Sequence, residues 1–156
     1  MQATALAHPN VALVKYWGKQ DGDRNLPATP SLSITLAGLT TRTTVTVDPN
    51  LTSDRVTLNG DLTDDPKITA CLARLKAQAT QPVHLAIDTT NDFPTAAGLA
   101  SSASGFAALV VAVNAALGLK LSTDELCDEA RRASDRPRGR CWVVSSPSPR
   151  TGRNSC

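Results

Sequence analysis

A loop of small and hydroxyl-bearing residues is the part of this 156-residue sequence best suited to chemistry. It runs from Asp92 to Gly105 and reads Asp-Phe-Pro-Thr-Ala-Ala-Gly-Leu-Ala-Ser-Ser-Ala-Ser-Gly. Small side chains let backbone amides approach a ligand, and a following helix would aim its unpaired N–H groups at the same place, which suits phosphate oxygens. The Gly-x-x-x-x-Gly-Lys-Ser/Thr pattern is absent, so a Walker-type nucleotide site is unsupported. From the residues alone, a close-packed loop before an alanine-rich helix remains an open alternative.

The elements that must position this loop are strands first, then helices with a strand between them. Alternating residues predict strands over His8–Trp17, Leu32–Leu36, Thr41–Val47, Val56–Leu58 and Val83–Ile87, with a turn at Asn59–Asp61. Helical spacing predicts three helices. The first is opened by Asp65-Pro66 and has Ile68, Cys71, Leu72, Leu75 and Ala79 on one side. The second is Ser101–Leu117, ended by Gly118, and the third is opened by the capping box Ser122–Glu125 and runs through Arg132. This order predicts an α+β fold.

Composition and charge exclude several classes of protein. The residues are 41% hydrophobic and only 3% aromatic, which predicts a core of Ala, Val and Leu. No run approaches the ~20 apolar residues of a membrane span, and the N-terminus lacks the pattern of a secretory signal, so we expect a cytoplasmic protein. Residues 1–134 carry 11 basic and 13 acidic side chains, and residues 135–156 carry five Arg and one Asp. A weakly acidic body gives no reason to expect a nucleic-acid or membrane partner.

The four cysteines and two histidines form no recognisable metal-binding pattern. Cys71 and Cys127 lie at apolar helical positions, whereas Cys141 and Cys156 lie in the basic tail. None is spaced as Cys-x-x-Cys, so we predict no zinc site and no metal-ligating residues here, and we expect free thiols in a reducing compartment.

Four separated motifs resemble one family. The run from Pro94 to Ala103 is similar to the phosphate-binding motif of the GHMP kinase superfamily, in the form found in diphosphomevalonate decarboxylases. The runs Asn10–Lys19, Asn25–Pro27 and Pro30–Ser33 resemble those decarboxylases more than the superfamily at large. The resemblance covers roughly residues 4–134 and implies the N-terminal half of the GHMP kinase fold, with a nucleotide under the loop.

The resemblance also implies an activity. The family converts mevalonate 5-diphosphate to isopentenyl diphosphate in isoprenoid biosynthesis, using ATP and a divalent metal, usually Mg²⁺. The 3-hydroxyl is phosphorylated, phosphate departs and the carboxylate is lost as CO₂. Binding two anionic ligands requires positive groups and N–H donors. The full-length relatives are expected to form homodimers.

By resemblance, the substrate site draws on Asn10, Lys15, Tyr16, Trp17, Gly18 and Lys19. Lys19 would supply a point charge, Tyr16 a hydroxyl and Gly18 room for close approach. Each assignment has an alternative. Lys19 could be an exposed lysine at a strand end, Asn10 a turn residue after Pro9, and Lys15 a residue that faces solvent.

On the ATP side, the resemblance points to Gly98, Ala100, Ser101, Ser102 and Ser104. Ser102 is predicted to orient the phosphoryl chain, with Ser101 and Ser104 assisting; each could instead be an ordinary serine of a helix N-terminus. Lys67 lies where the family more often has an arginine that reaches the substrate diphosphate. A lysine lacks the bidentate fork, so a helix-surface role is the alternative.

The resemblance stops after Ser134. In the family, a substrate-binding loop begins here, and Ser134 matches the first serine of that loop. The family continues Gly-Ser-Gly-Ser-Ala-x-Arg-Ser and then Gly-Gly-Phe-Val, whereas residues 135–156 hold three Pro and five Arg. Codons can be chosen for residues 135–146 such that one G added in front of them shifts the reading frame. The shifted frame then encodes Gly-Ser-Ala-Ala-Arg-Ser-Leu-Leu-Gly-Gly-Phe-Val, which is similar to the family sequence. We therefore expect one nucleotide to be missing near codon 135, which resequencing codons 130–140 tests.

Several expectations follow from this frameshift hypothesis. Residues 1–134 would form the incomplete substrate- and ATP-binding domain, and residues 135–156 a disordered, aberrant tail. The family's C-terminal half, with its catalytic aspartate, and the loop arginine would be absent, so no catalytic residue is assigned. The fragment would lack turnover and expose apolar surface, which promotes aggregation.

Two other functions remain open. The chain could represent another GHMP enzyme, such as a mevalonate 3-kinase or a phosphomevalonate decarboxylase. It could also be a non-catalytic phosphate-binding module that uses Arg136, Arg138 and Arg140 against an acidic partner.

Overall fold

A computed structural model describes residues 1–14, 19–21, 26–27, 32–94 and 101–134. Within these ranges the strands are β1 (Gln2–Ala7), β2 (Asn10–Val14), β3 (Lys19–Asp21), β4 (Leu26–Pro27), β5 (Leu32–Thr35), β6 (Thr41–Val47), β7 (Arg55–Leu58), β8 (Asp61–Leu62) and β9 (Leu85–Asn91). The helices are α1 (Pro66–Lys76), α2 (Ser101–Leu117) and α3 (Thr123–Ala133). This is the α+β architecture that the sequence predicts.

Five of the strands form one mixed sheet in the order β1-β6-β9-β7-β8. The β1–β6 and β6–β9 pairs are antiparallel, whereas β7 and β9 are parallel. Asn59 and Gly60 join β7 to β8 with φ values of 52° and 92°. Two central residues with positive φ are typical of a type I′ hairpin, which explains the Asn-Gly pair.

The helices cover one face of this sheet and supply most of the core. Phe106, Leu109, Val110 and Val113 of α2 are buried in one cluster with Val45 of the sheet. Further buried members of the cluster are Ala5, Leu85, Ile87, Cys71, Leu72, Leu75, Val111, Ala112, Ala116, Ala130 and Ala133. Alanine, valine and leucine make up most of this cluster, as the low aromatic content predicts.

Local signals at the helix ends explain where the helices begin and stop. Asp65 caps α1 by accepting a hydrogen bond from the Lys67 amide at 2.8 Å. Gly118 follows α2 with a φ of 64°, which suits glycine at a helix C-terminus. Ser122 and Glu125 form the predicted capping box of α3.

The sheet face under the helices changes from apolar to polar along its strands. Cross-strand pairing places Val45 opposite Ile87, Thr43 opposite Thr89, and then Thr41 opposite Asn91. Both Thr41 and Thr43 are fully buried. Hydroxyl and amide groups are therefore concentrated at the end of the sheet where β6 begins and β9 ends.

A two-stranded ribbon made by β2 and β5 is separate from the large sheet. Its pairs Val11–Ile34 and Val14–Leu32 are apolar, and between 38% and 59% of the surface of these four residues is exposed. We call these four side chains the ribbon patch. β3 and β4 form a further two-stranded pair.

The structure confirms most predicted elements and corrects some boundaries. β1 was not predicted from the sequence, because its inward positions Ala3, Ala5 and Ala7 are alanines, which are depleted in strands. α1 ends at Lys76, before Ala79, and the strand predicted at Val83 begins at Leu85. No helix in the described ranges is long and apolar enough to cross a membrane.

Candidate functional site

A cavity of about 220 Å³ lies between the polar end of the sheet and the first turns of α1 and α2. Its lining residues are Val56, Thr57, Leu58, Asp65, Ile68, Ile87, Thr89, Asn91, Ser101, Ser102, Gly105, Phe106 and Leu109. Apolar atoms form most of the cavity surface, although six of the thirteen lining residues carry hydroxyl, amide or carboxylate groups. Ligand pockets commonly have this composition, although their usual volume is roughly 300–1,000 Å³.

The first turn of α2 is the electropositive part of the wall. Ser101 and Ser102 both line the cavity, and Ser102 is exposed. The first turn contains no acidic residue. Its unpaired N–H groups and the positive end of the helix dipole are therefore available to an anion. A Cβ built on Gly105 would meet no atom within 4 Å, which shows open space beside this turn.

The first turn of α1 differs because a carboxylate already compensates it. Asp65 lines the cavity and accepts the Lys67 amide hydrogen bond, so its charge lies at the positive end of α1. Among the described residues that line the cavity, Asp65 is the only charged one. An anionic group should therefore lie nearer α2, and hydroxyl or amino groups of a ligand nearer Asp65.

A chain of polar side chains connects α2 to the sheet behind the cavity wall. The Thr41 hydroxyl donates to Asn91 Oδ1 at 2.7 Å and lies 2.8 Å from Ser104 Oγ. Ser104 Oγ also lies 3.1 Å from the Ser101 carbonyl oxygen. Ser104 is only 2% exposed. Its side chain therefore faces the sheet and is absent from the cavity wall.

Two hydrogen bonds from backbone amides to side-chain oxygens hold the end of β9 and the residue before β6. The Asn91 amide donates to Asn59 Oδ1 at 2.8 Å, and the Thr40 amide donates to Asp92 Oδ1 at 2.6 Å. These bonds attach the end of β9 to the β7–β8 turn and to the start of β6. Strand β9, which leads into the run Asp92–Gly105, is thus held at its last residues.

The thiol of Cys71 belongs to the core. It is fully buried and forms no disulfide. Burial raises the pKa of Cys71 to about 12, with an opposing effect from the Arg74 charge. A thiol with so high a pKa is a poor nucleophile at neutral pH, which agrees with a packing role.

The substrate residues predicted from the sequence fall in three different situations. Asn10 begins β2, and its Nδ2 donates to Ser33 Oγ at 3.4 Å. Ser134 is 3% exposed at the C-cap of α3, where its amide donates to the Ala130 carbonyl. Lys67 is exposed in the first turn of α1, between the cavity residues Asp65 and Ile68. The structure therefore does not bring these three together in one described cavity.

The remaining predicted residues give less structural information. Lys15, Tyr16, Trp17, Gly18, Gly98 and Ala100 lie outside the described residues, as do residues 135–156 of the predicted tail. Lys19 is the first residue of β3 and pairs with Pro27. It therefore stays a prediction that the substrate residues from Asn10 to Lys19 and the serines around Ser102 form one combined site.

Sequence reasoning missed Asp65, Asn91 and Thr41 as parts of the site. The sequence pattern indicates only a helix cap at Asp65 and no role for Asn91. The available signal was the alternation in β6 and β9, which places Thr41, Thr43 and Asn91 on the inward face, where apolar residues are the rule. Each buried hydroxyl there needs a polar partner, which Ser104 of the covering helix supplies for Thr41 and Thr89 of the neighbouring strand supplies for Thr43.

The described residues contain no cluster of side chains that could hold a metal ion by themselves. Among the described residues, no group of three or more His, Cys, Asp or Glu side chains is placed to hold a metal ion. A divalent ion at the cavity would therefore depend mainly on a ligand's own oxygens.

Comparison with known proteins gives a consistent family. The model of the diphosphomevalonate decarboxylase-like N-terminal domain matches residues 7–137. A diphosphomevalonate decarboxylase of Ganoderma lucidum is 42% identical over 152 residues, covering 85% of this chain and 38% of the relative. The curated relatives are covered over 36–41% of their own length, so the chain spans well under half of them.

Solved structures agree in fold as well as in sequence. The mevalonate diphosphate decarboxylase from Enterococcus faecalis is 45% identical with a TM-score of 0.76, over 86% of this chain and 43% of that one. A structure of MDDEF in complex with MVAPP, AMPPCP and magnesium is 45% identical with a TM-score of 0.75, over 86% and 42% of the two chains.

Proposed function

The chain belongs to the family of diphosphomevalonate decarboxylase-like N-terminal domains, and from this premise we propose that it acts in the ATP-dependent decarboxylation of mevalonate 5-diphosphate. Its part would be to bind ATP and to contribute to the substrate site. The observation that carries the proposal is the cavity under α2, where the family's Ser-Ser motif lines a pocket with apolar walls.

The cavity has two regions that match the two ends of a nucleotide. Val56, Leu58 and Ile68 form an apolar region suited to a flat base, and Asp65 beside them can accept hydrogen bonds from amino or hydroxyl groups. Ser101 and Ser102 at the positive end of α2 suit phosphate oxygens. At about 220 Å³ the described cavity would hold part of the nucleotide, and residues 95–100 would bind the rest.

Mg²⁺ is the proposed metal, and the chemistry of the donors is compatible with it. Mg²⁺ commonly keeps several waters and binds through one or two protein oxygens plus substrate phosphates, so a dedicated acidic cluster is unnecessary. The Ser101 or Ser102 hydroxyl would supply such a protein oxygen. The ion would compensate the phosphate charge that one helix N-terminus cannot neutralise alone.

Mevalonate 5-diphosphate is proposed to bind beside the nucleotide through Asn10, Lys15, Tyr16, Trp17, Gly18 and Lys19. Ala7 at the end of β1 packs against Ala107 and Ala108 of α2. Asn10 begins β2 three residues later, so the proposed run follows a strand that packs against this helix. Lys67 and Ser134 are proposed as further substrate contacts by resemblance only.

A polypeptide of these 156 residues is proposed to bind ligands without turnover. The resemblance places the catalytic aspartate in a part of the relatives that has no counterpart among these residues. A cytoplasmic location is proposed as well, because the free thiols Cys71 and Cys127 fit a reducing compartment.

Titration calorimetry with Mg²⁺ and AMPPCP tests the nucleotide site. We expect Ser102→Ala to weaken binding by about fivefold or more, since it removes a hydrogen bond to a charged oxygen. Ser53→Ala changes another exposed serine, away from the cavity, and should leave the affinity unchanged. Equal affinities for all three proteins would contradict the proposed site, and ATP-dependent release of CO₂ by the 156-residue polypeptide would contradict the expected lack of turnover.

A further inference from the structure

We propose that Thr41 is a positioning residue that holds the first turn of α2 at the correct place for the nucleotide phosphates. The inference rests on the proposed nucleotide site and extends it to a residue that does not line the cavity. Thr41 is the first residue of β6 and is fully buried, whereas Ser101 and Ser102 lie on the cavity wall.

Thr41 links the two walls of the cavity through side-chain contacts on both sides. Its hydroxyl is 2.7 Å from Asn91 Oδ1, and Asn91 lines the cavity from the end of β9. The same hydroxyl is 2.8 Å from Ser104 Oγ in the first turn of α2. One oxygen atom therefore connects the sheet wall to the helix wall.

The available protons give this connection a direction. Three contacts join Asn91, Thr41, Ser104 and the Ser101 carbonyl, but the two hydroxyl groups have only two protons. The two shortest contacts are both satisfied if Ser104 donates to Thr41 and Thr41 donates to Asn91. Loss of the Thr41 hydroxyl would then leave Asn91 Oδ1 without this donor and Ser104 with only the longer bond to Ser101.

The surrounding residues make this link important for the helix position. Ala7 is the cross-strand neighbour of Thr41 on the β1 side, and it packs against Ala107 and Ala108 in the second turn of α2. These methyl groups fill space but offer no directional bond. The Thr41–Ser104 contact is thus the directional side-chain bond that the structure shows between β6 and the first turn of α2.

The neighbouring inward residue of the same strand provides a matched control. Thr43 is also fully buried, and its hydroxyl lies 3.0 Å from the Thr89 hydroxyl. Thr43→Val and Thr41→Val make the same isosteric change at the same burial and each remove one hydroxyl. Only Thr41 has a bond to Ser104, so a difference between the two variants reports on α2.

The experiment combines amide hydrogen exchange without ligand and AMPPCP binding with Mg²⁺. The amides of residues 105–108 bond to the carbonyls of the first turn, so they report on its order. In Thr41→Val we expect them to exchange about fivefold faster or more, the equivalent of one lost hydrogen bond, and AMPPCP to bind weaker by a similar factor. Thr41→Ser should restore both values, and Thr43→Val should change neither.

The outcomes separate this inference from the nucleotide proposal. Equal exchange and equal affinity in the two valine variants would overturn the role of Thr41, as would faster exchange with unchanged affinity. If wild-type protein binds no AMPPCP, the nucleotide site fails, while faster exchange in Thr41→Val alone would still support the link to α2. If Thr41→Val does not fold, Ser104→Ala removes the same link from the helix side and should give the same exchange result.

Discussion

Threonine on the inward face of a strand gives this protein a polar site without changing the shape of the sheet. Thr41 and Thr43 occupy positions equivalent to that of Val45, and both residue types are β-branched and favour strands. Each hydroxyl is satisfied by a partner at 2.7–3.0 Å, so burial leaves no unpaired donor. The strand can therefore be apolar under the core and polar beside the cavity.

The Cys71 thiol gives a prediction for pH dependence at the same scale. Burial raises its pKa from 9.0 to about 12, so folding favours the protonated thiol. This contribution to stability is complete below pH 9 and is lost as the pH rises from about 9 towards 12. The free energy of unfolding of the wild type, measured with urea at pH 8 and at pH 10.5, should fall partly because of Cys71.

Two variants check that assignment. Cys71→Ala should lower stability at both pH values through lost packing but show a smaller decrease between them than the wild type. Cys127→Ala, which changes a less buried thiol, should keep the wild-type decrease. An unchanged pH dependence in Cys71→Ala would show that the thiol is not responsible.

The three serines of the motif show how far sequence alone reaches at the residue scale. The resemblance to the family's motif implies Ser101, Ser102 and Ser104 as candidate phosphate contacts. The rotation of α2 about its axis, set by packing of Phe106 and Leu109 against the core, decides that Ser104 faces Thr41 instead of the cavity. That rotation depends on residues distant in sequence, so the motif could not reveal it.

At the scale of elements, the β2–β5 ribbon is largely exposed. A two-stranded ribbon is marginally stable alone, and the ribbon patch of Val11, Val14, Leu32 and Ile34 exposes apolar surface on it. We expect the purified chain to self-associate through this patch as its concentration rises. The exposed patch also agrees with the aggregation expected from the sequence.

Substitution of a charged residue tests the patch. Burial of one large aliphatic side chain contributes about 1.5–3 kcal/mol, so Ile34→Lys should weaken self-association by roughly tenfold or more in sedimentation velocity. Leu62→Lys is the matched control, because Leu62 is 74% exposed but lies in β8 of the five-stranded sheet, outside the ribbon patch. Equal effects of the two variants, or no association of the wild type, would show that the patch is not responsible.

Elements with strong local signals were predicted from the sequence, and those defined by tertiary contacts were not. The Asp65 cap, Gly118 and the Ser122–Glu125 box correctly mark helix ends because each acts within one turn. β1 has no such signal, since its alanines are held in place by pairing with β6 and by α2. Its existence depends on neighbours more than 30 residues away.

At the scale of the whole molecule, the fold places the N-termini of α1 and α2 at one cavity with opposite electrostatic character. Asp65 compensates the first, whereas the first turn of the second has no acidic residue and carries Ser101 and Ser102. This asymmetry gives a bound nucleotide a direction, with its phosphates at α2. The proposed substrate run begins at Asn10, three residues after Ala7, which packs against α2.

Paramagnetic broadening of amide NMR signals by Mn²⁺ bound with AMPPCP most directly tests whether both ligands share this region. In the presence of mevalonate 5-diphosphate, we expect broadening of residues 101–105 and also of residues 16–19. Thr44 and Thr46, which line a groove on the opposite face of the sheet, should remain sharp. If residues 16–19 stay sharp while residues 101–105 broaden, the two binding groups do not meet and the central claim is wrong.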